Sequence, residues 1–276
     1  MEGTIVKIIS NLVTVEANGN LYDCKPRGKF YHEKISPIVG DIVEIDPENK
    51  YILKIKPRKN ELARPLISNV DSCIIVTSVK KPDLSLNLLD KMLANVIYEK
   101  IEPIICFTKT DLLSFKEKRE LKKIMKYYEK IGIKVTTNKK LSKLTKMIAH
   151  KIVVLTGQTG AGKSTLLNKL NPNLNLETNE ISKALGRGKH TTRHVELFKY
   201  KTSLIADTPG FSALELNKIP KKELKNTFIE FNLNCEYKDC NHQNEKNCEV
   251  KKMVNSGKIL KSRYENYLKF MGELWK

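Results

Sequence analysis

The chain has 276 residues, of which 50 are lysine or arginine and 31 are aspartate or glutamate, and its formal net charge is +19 at pH 7. The length allows two or three domains, and no apolar run approaches the roughly 20 residues that cross a bilayer, which argues against a membrane partner. The charge favours a polyanionic partner, although a general richness in lysine accounts for part of it. Met1–Thr4 does not open a signal peptide, so we expect a cytoplasmic protein.

The first 62 residues have the pattern of short alternating strands, with a hairpin turn at Asn18-Gly19-Asn20. Five such strands predict a small β-barrel domain, most commonly an OB-fold. Basic and aromatic side chains fall between the third and fourth predicted strands: Lys25, Arg27, Lys29, Phe30 and Tyr31. This mixture favours binding of single-stranded nucleic acid over a purely structural barrel. Residues 56–61 are the predicted linker.

Beyond residue 63 the pattern changes to strands that alternate with helices. We predict strands over 73–77, 103–107, 133–136 and 152–155, and helices over 86–99, 115–130 and 141–149. This alternation predicts an α/β domain over residues 63–217, with a mostly parallel sheet covered by helices on both faces. Ligands of such sheets bind beyond the carboxyl ends of the strands. Cys24, Cys73 and Cys106 lie on apolar runs and are expected to be buried.

A glycine-rich loop follows the predicted strand 152–155 and opens a helix. The loop fits G-x-x-x-x-G-K-[ST], in which backbone N–H groups and the helix N-terminus bind phosphate. We expect Lys163 to contact the β- and γ-phosphates and Ser164 to ligate Mg²⁺. The predicted nucleotide-binding residues of this loop are Gly157, Gln158, Thr159, Gly160, Ala161, Gly162, Lys163, Ser164 and Thr165.

The tetrapeptide Thr108-Lys109-Thr110-Asp111 follows the predicted strand 103–107. Asp111 can accept hydrogen bonds from N1–H and the N2 amine of guanine, a donor pair that adenine lacks, and the Lys109 stem can lie along the base. By itself the tetrapeptide is equally consistent with an Asx turn that opens a helix. Its position at the sheet edge shared with the phosphate loop favours base recognition. Thr136-Thr137 is a candidate backbone contact to the base oxygen.

Two further segments fit the phosphate and Mg²⁺ side of such a site. Gly186–Arg193 combines glycine, basic and hydroxyl residues, as expected of a loop that phosphate and Mg²⁺ order. Asp207-Thr208-Pro209-Gly210-Phe211 follows two predicted strands, 195–200 and 203–206. Asp207 fits the Mg²⁺ shell and the Gly210 N–H fits the γ-phosphate.

Three cysteines and one histidine cluster near the C-terminus, in the pattern Cys235-x4-Cys240-x-His242-x5-Cys248. This ligand set and spacing predict a closed, structural Zn²⁺ site. Residues 218–276 are too short to form much core between the predicted helices 223–232 and 250–276, so we expect the metal to hold them folded. Nearby cations either meet RNA or form a solvated helix face: Lys251, Lys252, Lys258, Lys261 and Arg263.

In ordinary P-loop GTPases the phosphate loop precedes the base-recognition loop, whereas here Thr108–Asp111 precedes Gly157. The same sheet results if the chain is cut and rejoined at neighbouring ends, so the order predicts a circularly permuted GTPase domain. With this order, the barrel and the zinc motif, the sequence resembles the RsgA/YjeQ family. The motifs that carry the resemblance are Arg64-Pro65 with Asn69-Val70-Asp71, Gly157–Thr165, Gly188–Arg193 and Asp207–Phe211.

The resemblance implies a GTP-hydrolysing factor that acts in late maturation of the small (30S) ribosomal subunit and binds 16S rRNA, GTP and GDP. Nothing in the sequence demands a second copy of the chain, so we expect a monomer. Phe211 stands where many GTPases have a water-orienting Gln, so hydrolysis by the protein alone should be slow. The resemblance implies that His190 positions the water instead; a contact to phosphate or RNA is the alternative. Either Thr191 or Thr192 should complete the Mg²⁺ shell. Thr108 replaces the usual Asn of the family, which weakens the expected base affinity.

Two alternatives remain open from the sequence: a P-loop ATPase, and a zinc-stabilised RNA-binding protein whose nucleotide is structural. The zinc segment follows Asp207–Phe211 directly in the chain. We therefore hypothesise that GTP keeps the barrel and the zinc segment in an arrangement that binds rRNA, and that hydrolysis releases it.

Overall fold

The structure is a computed structural model, and it describes residues 1–27, 30, 36–63, 65–174, 195–206, 216 and 219–273. The predicted phosphate- and Mg²⁺-contacting segments Gly186–Arg193 and Asp207–Phe211 lie outside these residues, as does Arg64. In the described part of the chain, no helix combines the length and the apolar character needed to cross a membrane.

A closed five-stranded barrel forms the N-terminal part, which confirms the predicted barrel. Its strands are β1 (Glu2–Ile9), β2 (Leu12–Ala17), β3 (Asn20–Pro26), β4 (Ile42–Asp46) and β5 (Tyr51–Ile55). They follow the order β1-β2-β3-β5-β4, and β4 closes the barrel against β1. Alternate residues such as Ile5, Val15 and Val43 are fully buried, so the period-two pattern of the sequence fills the barrel interior.

The segment predicted as a linker is anchored to the barrel. The Arg58 guanidinium lies 2.7 Å from the buried Asp41 carboxylate and 2.7 Å from that of Glu61. A short hairpin that the sequence pattern did not indicate follows, with strands β6 (Glu61–Ala63) and β7 (Leu66–Ser68). Strands of three residues are too short to show a period, which explains why they were missed.

Six strands form the main sheet in the order β10-β9-β8-β11-β13-β12. They are β8 (Ser72–Ser78), β9 (Glu102–Thr108), β10 (Lys134–Thr137), β11 (Ile152–Thr156), β12 (Leu197–Tyr200) and β13 (Ser203–Ala206). The pairs β9–β10 and β11–β13 are parallel, and the edge strand β12 runs antiparallel to β13. Every residue of β8 and β11 is buried, as expected for central strands covered on both faces.

Four helices accompany this sheet close to their predicted bounds: α1 (Leu86–Tyr98), α2 (Phe115–Lys130), α3 (Leu141–Ile148) and α4 (Lys163–Leu170). Ser85 caps α1 by accepting from the Leu88 N–H. Ser114 and Glu117 form a reciprocal capping box at the start of α2. Cys24, Cys73 and Cys106 are buried as expected.

The C-terminal part is more broken than predicted. It contains α5 (Lys221–Leu224), 3₁₀ turns over Lys225–Thr227 and Ile229–Phe231, α6 (Glu249–Asn255) and α7 (Lys261–Glu273). Gly257, with φ of 72°, separates α6 from α7 in place of one continuous helix. The expectation of little core is wrong, because a large apolar cluster is buried here, including Phe228, Phe231, Tyr267, Phe270 and Met271.

The chain divides into two compact units. One comprises 1–74, 142–156 and 162–212, and the other comprises 75–141, 157–161 and 213–276. The first holds the barrel, β11 to β13 and α4, and the second holds β9, β10, α1, α2 and the C-terminal helices. The predicted domain boundaries after residues 62 and 217 stay predictions.

Candidate nucleotide and metal sites

The turn after β11 has the backbone geometry of a phosphate-binding loop. Gly157, Gly160 and Gly162 have φ of 149°, 77° and 95°, values that favour glycine. A Cβ on Gly157 would lie 2.2 Å from the Val76 carbonyl oxygen, so no larger residue fits there. The glycines of the motif are therefore required by the path of the backbone.

The helix that follows the loop begins at Lys163, and Gly162 is its N-cap residue. Lys163 and Ser164 thus occupy the first turn, where free N–H groups and the helix dipole favour an anion. Burial lowers the pKa of Lys163 from its ordinary value. A bound phosphate would offset this desolvation, as expected for an ammonium group that holds a nucleotide.

The predicted base-recognition loop and the predicted phosphate loop are in direct contact. The Thr108 hydroxyl donates a hydrogen bond of 2.6 Å to the Ala161 carbonyl, and both groups are buried. Lys109 adopts the left-handed conformation (φ 57°) and starts the 3₁₀ turn Thr110–Leu112. Two loops far apart in the sequence are thereby brought to one place, as predicted from the sheet.

Asp111 is exposed and ready to accept hydrogen bonds. A hydrogen bond from its own backbone N–H and the Lys139 ammonium, 3.5 Å away, lower the pKa of Asp111, so it is ionised at neutral pH. The Lys109 ammonium donates to the Lys81 carbonyl, which fixes the direction of the Lys109 stem. Thr136 and Thr137 end β10 beside β9, and the Thr136 hydroxyl has no hydrogen-bond partner among the described residues.

Five of the predicted site residues lie outside the described residues: His190, Thr191, Thr192, Asp207 and Gly210. Their roles, and that of Phe211, stay predictions.

The motif Asn69-Val70-Asp71 has a structural role that sequence reasoning did not assign. Asp71 accepts a 2.8 Å hydrogen bond from the Ile152 N–H at the start of β11, the strand that carries the phosphate loop. Asn69 accepts from the Lys59 N–H at 3.0 Å and donates to the Gly40 carbonyl at 3.0 Å. The motif therefore holds the beginning of β11 and the end of the barrel in position.

Cys235, Cys240, His242 and Cys248 form one cluster whose ligand atoms all lie within 4.8 Å of one another. The His242 Nδ1 is 3.6, 3.4 and 3.4 Å from the three sulfurs, and the Sγ atoms of Cys235 and Cys248 are 3.9 Å apart. A tetrahedral Zn²⁺ with bonds of about 2.3 Å to sulfur and about 2.05 Å to nitrogen requires separations of about 3.6 to 3.8 Å. The four residues could therefore hold a metal ion.

Aromatic side chains support the loop that carries these ligands. The hydroxyls of Tyr264 and Tyr267, both on α7, donate to the carbonyls of His242 and Asn241 at 2.7 and 2.6 Å. The Phe231 ring packs edge-on against the His242 ring, with centroids 5.7 Å apart. The apolar spacing of α7 indicated that one face of the helix is buried. It did not indicate that the tyrosine hydroxyls on this face would hold the loop that carries the Cys/His cluster.

One cation and one aromatic residue are buried and differ from their predicted environments. The Arg263 side chain is only 1% exposed, and its guanidinium lies 2.8 Å from the Asp90 carboxylate and 2.7 Å from that of Glu230. It therefore cannot contact RNA, which was one of the two predicted roles of these cations. Phe30 is buried and cannot stack on a base. Instead, the half-exposed Tyr51 has the Arg27 guanidinium 5.9 Å from its ring centroid. Lys29 and Tyr31 lie outside the described residues.

Three features together define the class of protein. They are the N-terminal barrel, a mostly parallel sheet in which the predicted base-recognition loop precedes the predicted phosphate loop, and the C-terminal Cys/His cluster. The chain is a circularly permuted P-loop GTPase. Residues 2–52 match the family model of the RsgA N-terminal domain, and residues 55–217 match that of the RsgA GTPase.

Named relatives and solved structures agree with this class. The small ribosomal subunit biogenesis GTPase RsgA of Staphylococcus saprophyticus is 45% identical over 281 aligned positions, covering 99% of this chain and 97% of that protein. Its namesake in Enterococcus faecalis is 44% identical over 283 positions, covering 99% and 95%.

The structure of YloQ, described as a circularly permuted GTPase, has a TM-score of 0.86 at 35% identity and covers 99% of this chain and 94% of that chain. That of YjeQ from Thermotoga maritima has the same TM-score and identity, with coverage of 99% and 98%. The chain belongs to the RsgA GTPase family.

Proposed function

We propose that the protein is a GTP-hydrolysing assembly factor that binds the small (30S) ribosomal subunit through 16S rRNA and acts late in its maturation. The subunit stimulates hydrolysis, and hydrolysis drives release. We further infer that the protein works in the cytoplasm as a monomer. The relatives' names support the pathway, and the net charge of +19 suits an RNA partner.

The hydrogen bond from the Thr108 hydroxyl to the Ala161 carbonyl carries the nucleotide part of the proposal. It supports a single nucleotide site, because it joins the segment proposed to bind the base to the segment proposed to bind the phosphates. Asp111 would then select guanine, because adenine would leave its carboxylate without donors. Lys163 would neutralise charge that develops on the β- and γ-phosphates.

The remaining roles rest on the family resemblance and on residue chemistry. Ser164, Asp207 and either Thr191 or Thr192 would hold the Mg²⁺ that accompanies GTP, and the Gly210 N–H would contact the γ-phosphate. His190 would orient the attacking water, since Phe211 has no group that can do so.

We also propose that Cys235, Cys240, His242 and Cys248 hold one structural Zn²⁺. Three thiolates and an imidazole fill a tetrahedral shell, so the ion has no open position for chemistry. Burial lowers the pKa of His242, which favours the neutral imidazole that binds metal.

The test is GTP turnover by the full chain with and without purified small subunits. We expect slow turnover alone and a large stimulation by subunits that the variant His190→Ala loses. Absence of stimulation, with turnover unchanged in His190→Ala, would favour an RNA-binding protein with a structural nucleotide.

A second measurement separates a GTPase from an ATPase. In Asp111→Asn the amide can pair with the C2 oxygen of xanthine, so we expect preference to move from GTP to XTP. An ATPase would show no such change. Asp23→Asn, on the barrel strand β3, removes an exposed carboxylate outside the proposed site and serves as the matched control.

A further inference from the structure

The outer face of α2 carries a row of cations that the nucleotide site does not use. At about 100° per residue, Arg119, Lys122, Lys126 and Lys130 fall within an arc of about 80° and extend about 16 Å along the helix axis. All four side chains are exposed. The row therefore forms a continuous positive strip on one side of the helix.

α2 carries three acidic residues, Glu117, Glu120 and Glu129, against the four cations of the row. Two of them pair with cations outside the row. Glu117 pairs with Lys80 at 2.8 Å, and Glu120 pairs with Lys123 at 2.8 Å. Within the described part of the chain, none of the four cations of the row forms an ion pair with a carboxylate. Their charge remains available to an anionic partner.

An aromatic side chain stands at the head of the row. Phe115 is the first residue of α2, one turn before Arg119, and it is 92% exposed. The Lys118 ammonium lies 5.6 Å from its ring centroid. The Ser114–Glu117 capping box fixes this first turn, so the ring is presented to solvent from a rigid position.

Cations in a row next to an exposed ring suit a single strand of RNA. Phosphates contact lysine and arginine, and an unstacked base lies on the aromatic face. An anionic membrane fits less well, because a membrane-bound amphipathic helix inserts its apolar face. Here that face is engaged inside the protein, where Leu121 and Tyr128 are buried and the Tyr128 hydroxyl donates to Asp90 at 2.7 Å.

We propose that α2 is an RNA-binding surface. A single-stranded segment lies along the helix, with phosphates on Arg119, Lys122, Lys126 and Lys130 and one base stacked on Phe115. That this RNA is the 16S rRNA rests on the proposed function. The surface itself rests on the helix alone.

The test measures the affinity of the full, zinc-loaded chain for a mixed-sequence single-stranded RNA of roughly 12 nucleotides over a range of salt concentrations. The triple variant Lys122→Gln, Lys126→Gln, Lys130→Gln should weaken binding about tenfold or more. It should also reduce the slope of log K against log salt by about 2, since each phosphate contact contributes about 0.7. Phe115→Ala should weaken binding about tenfold with the slope unchanged, because stacking releases no counterions.

The matched control is Lys100→Gln, Lys146→Gln, Lys169→Gln, which removes the same charge from exposed lysines outside α2. It should retain wild-type affinity within about twofold. Equal losses in both triple variants, or wild-type affinity in Phe115→Ala, would overturn the proposal. Binding to anionic lipid vesicles that depends on the row, without RNA binding that does, would overturn the choice of RNA.

Basal GTP turnover should be the same in all variants, which shows that each is folded. If wild-type protein binds the RNA through α2 but does not bind small subunits, the proposed function fails and the surface stands. If it binds subunits and the α2 triple variant binds them and the RNA equally well, the surface fails and the proposed function stands.

Discussion

Thr108 shows how one side chain departs from its expected role and remains central to the site. Sequence reasoning treated its hydroxyl as a weak substitute for an amide at the base. In the structure the hydroxyl is buried and donates its hydrogen bond to the Ala161 carbonyl. Thr108 therefore joins the two loops, and the proposed base contact rests on Asp111.

Thr108→Val should raise the KM for GTP and lower the free energy of unfolding by roughly 1 to 3 kcal/mol, because the Ala161 carbonyl would be buried without a donor. Thr108→Ser should restore both. The measurements are GTP kinetics and chemical denaturation.

Thr77→Val provides the control, because the Thr77 hydroxyl is buried without a partner among the described residues. That change should be neutral or stabilising. Similar losses in both variants would contradict the role of the Thr108 hydroxyl.

Arg263 is the residue whose position the sequence could not indicate. The sequence of α7 does not distinguish the environment of Arg263 from that of Lys261 or Lys269. In the structure, however, the Arg263 guanidinium lies 4.3 Å from the Phe228 ring centroid and pairs with two carboxylates. Its partners lie more than 30 positions away, and no local pattern points to them. Ion pairs between residues so far apart in the chain cannot be recognised from a single sequence.

Arg263→Met should destabilise the protein by roughly 3 to 5 kcal/mol, because Asp90 and Glu230 would remain buried without a cation. Thermal or chemical denaturation measures this. Lys261→Met, which breaks only an exposed pair with Glu265, should change stability by less than about 0.5 kcal/mol. A small effect of Arg263→Met would show that the network is not required.

At the scale of elements, the long periodic segments were predictable and the short or tertiary ones were not. The bounds of α2 agree with the predicted 115–130, since apolar spacing and a capping box both mark them. The hairpin β6–β7 and the break at Gly257 were missed, because three-residue strands and a single glycine carry little pattern. The cluster of Cys235, Cys240, His242 and Cys248 was predictable from spacing, whereas the aromatic core beside it was not.

That core changes what removal of the metal should do. The ligand loop has few buried side chains of its own, whereas α7 packs Tyr267, Phe270 and Met271 into the apolar cluster. We expect a chelator to raise amide hydrogen exchange strongly over 235–248 and only slightly over 261–273. Equal increases in the two segments would mean that the metal holds the whole C-terminal part folded, as the sequence alone suggested.

At the scale of the whole molecule, the order of the parts distinguishes this chain from an ordinary GTPase. The segment that carries the Cys/His cluster follows the predicted γ-phosphate loop in the chain, so we expect a change in that loop on hydrolysis to affect this segment through the chain. The class of fold was predictable because each motif keeps its local context after permutation.

We expect the protein to bind small subunits at least tenfold more tightly with a non-hydrolysable GTP analogue than with GDP, a coupling of about 1.4 kcal/mol. Sedimentation with purified subunits measures both affinities. Asp111→Asn supplied with the matching xanthine nucleotides should show the same difference, which controls for effects of the nucleotide outside the site. Equal affinities with the two guanine nucleotides would contradict the coupling.

The neighbours of β8 have a consequence for synthesis of the chain. β8 ends at Ser78 and lies between β9 and β11, but β11 begins only at Ile152. While the ribosome translates the interval, at roughly 5 to 20 residues per second, β8 has one open edge of apolar residues for several seconds. Nascent chains that end before Ile152 are therefore expected to need a chaperone, whereas in a GTPase whose phosphate loop comes first that edge is covered as soon as it emerges.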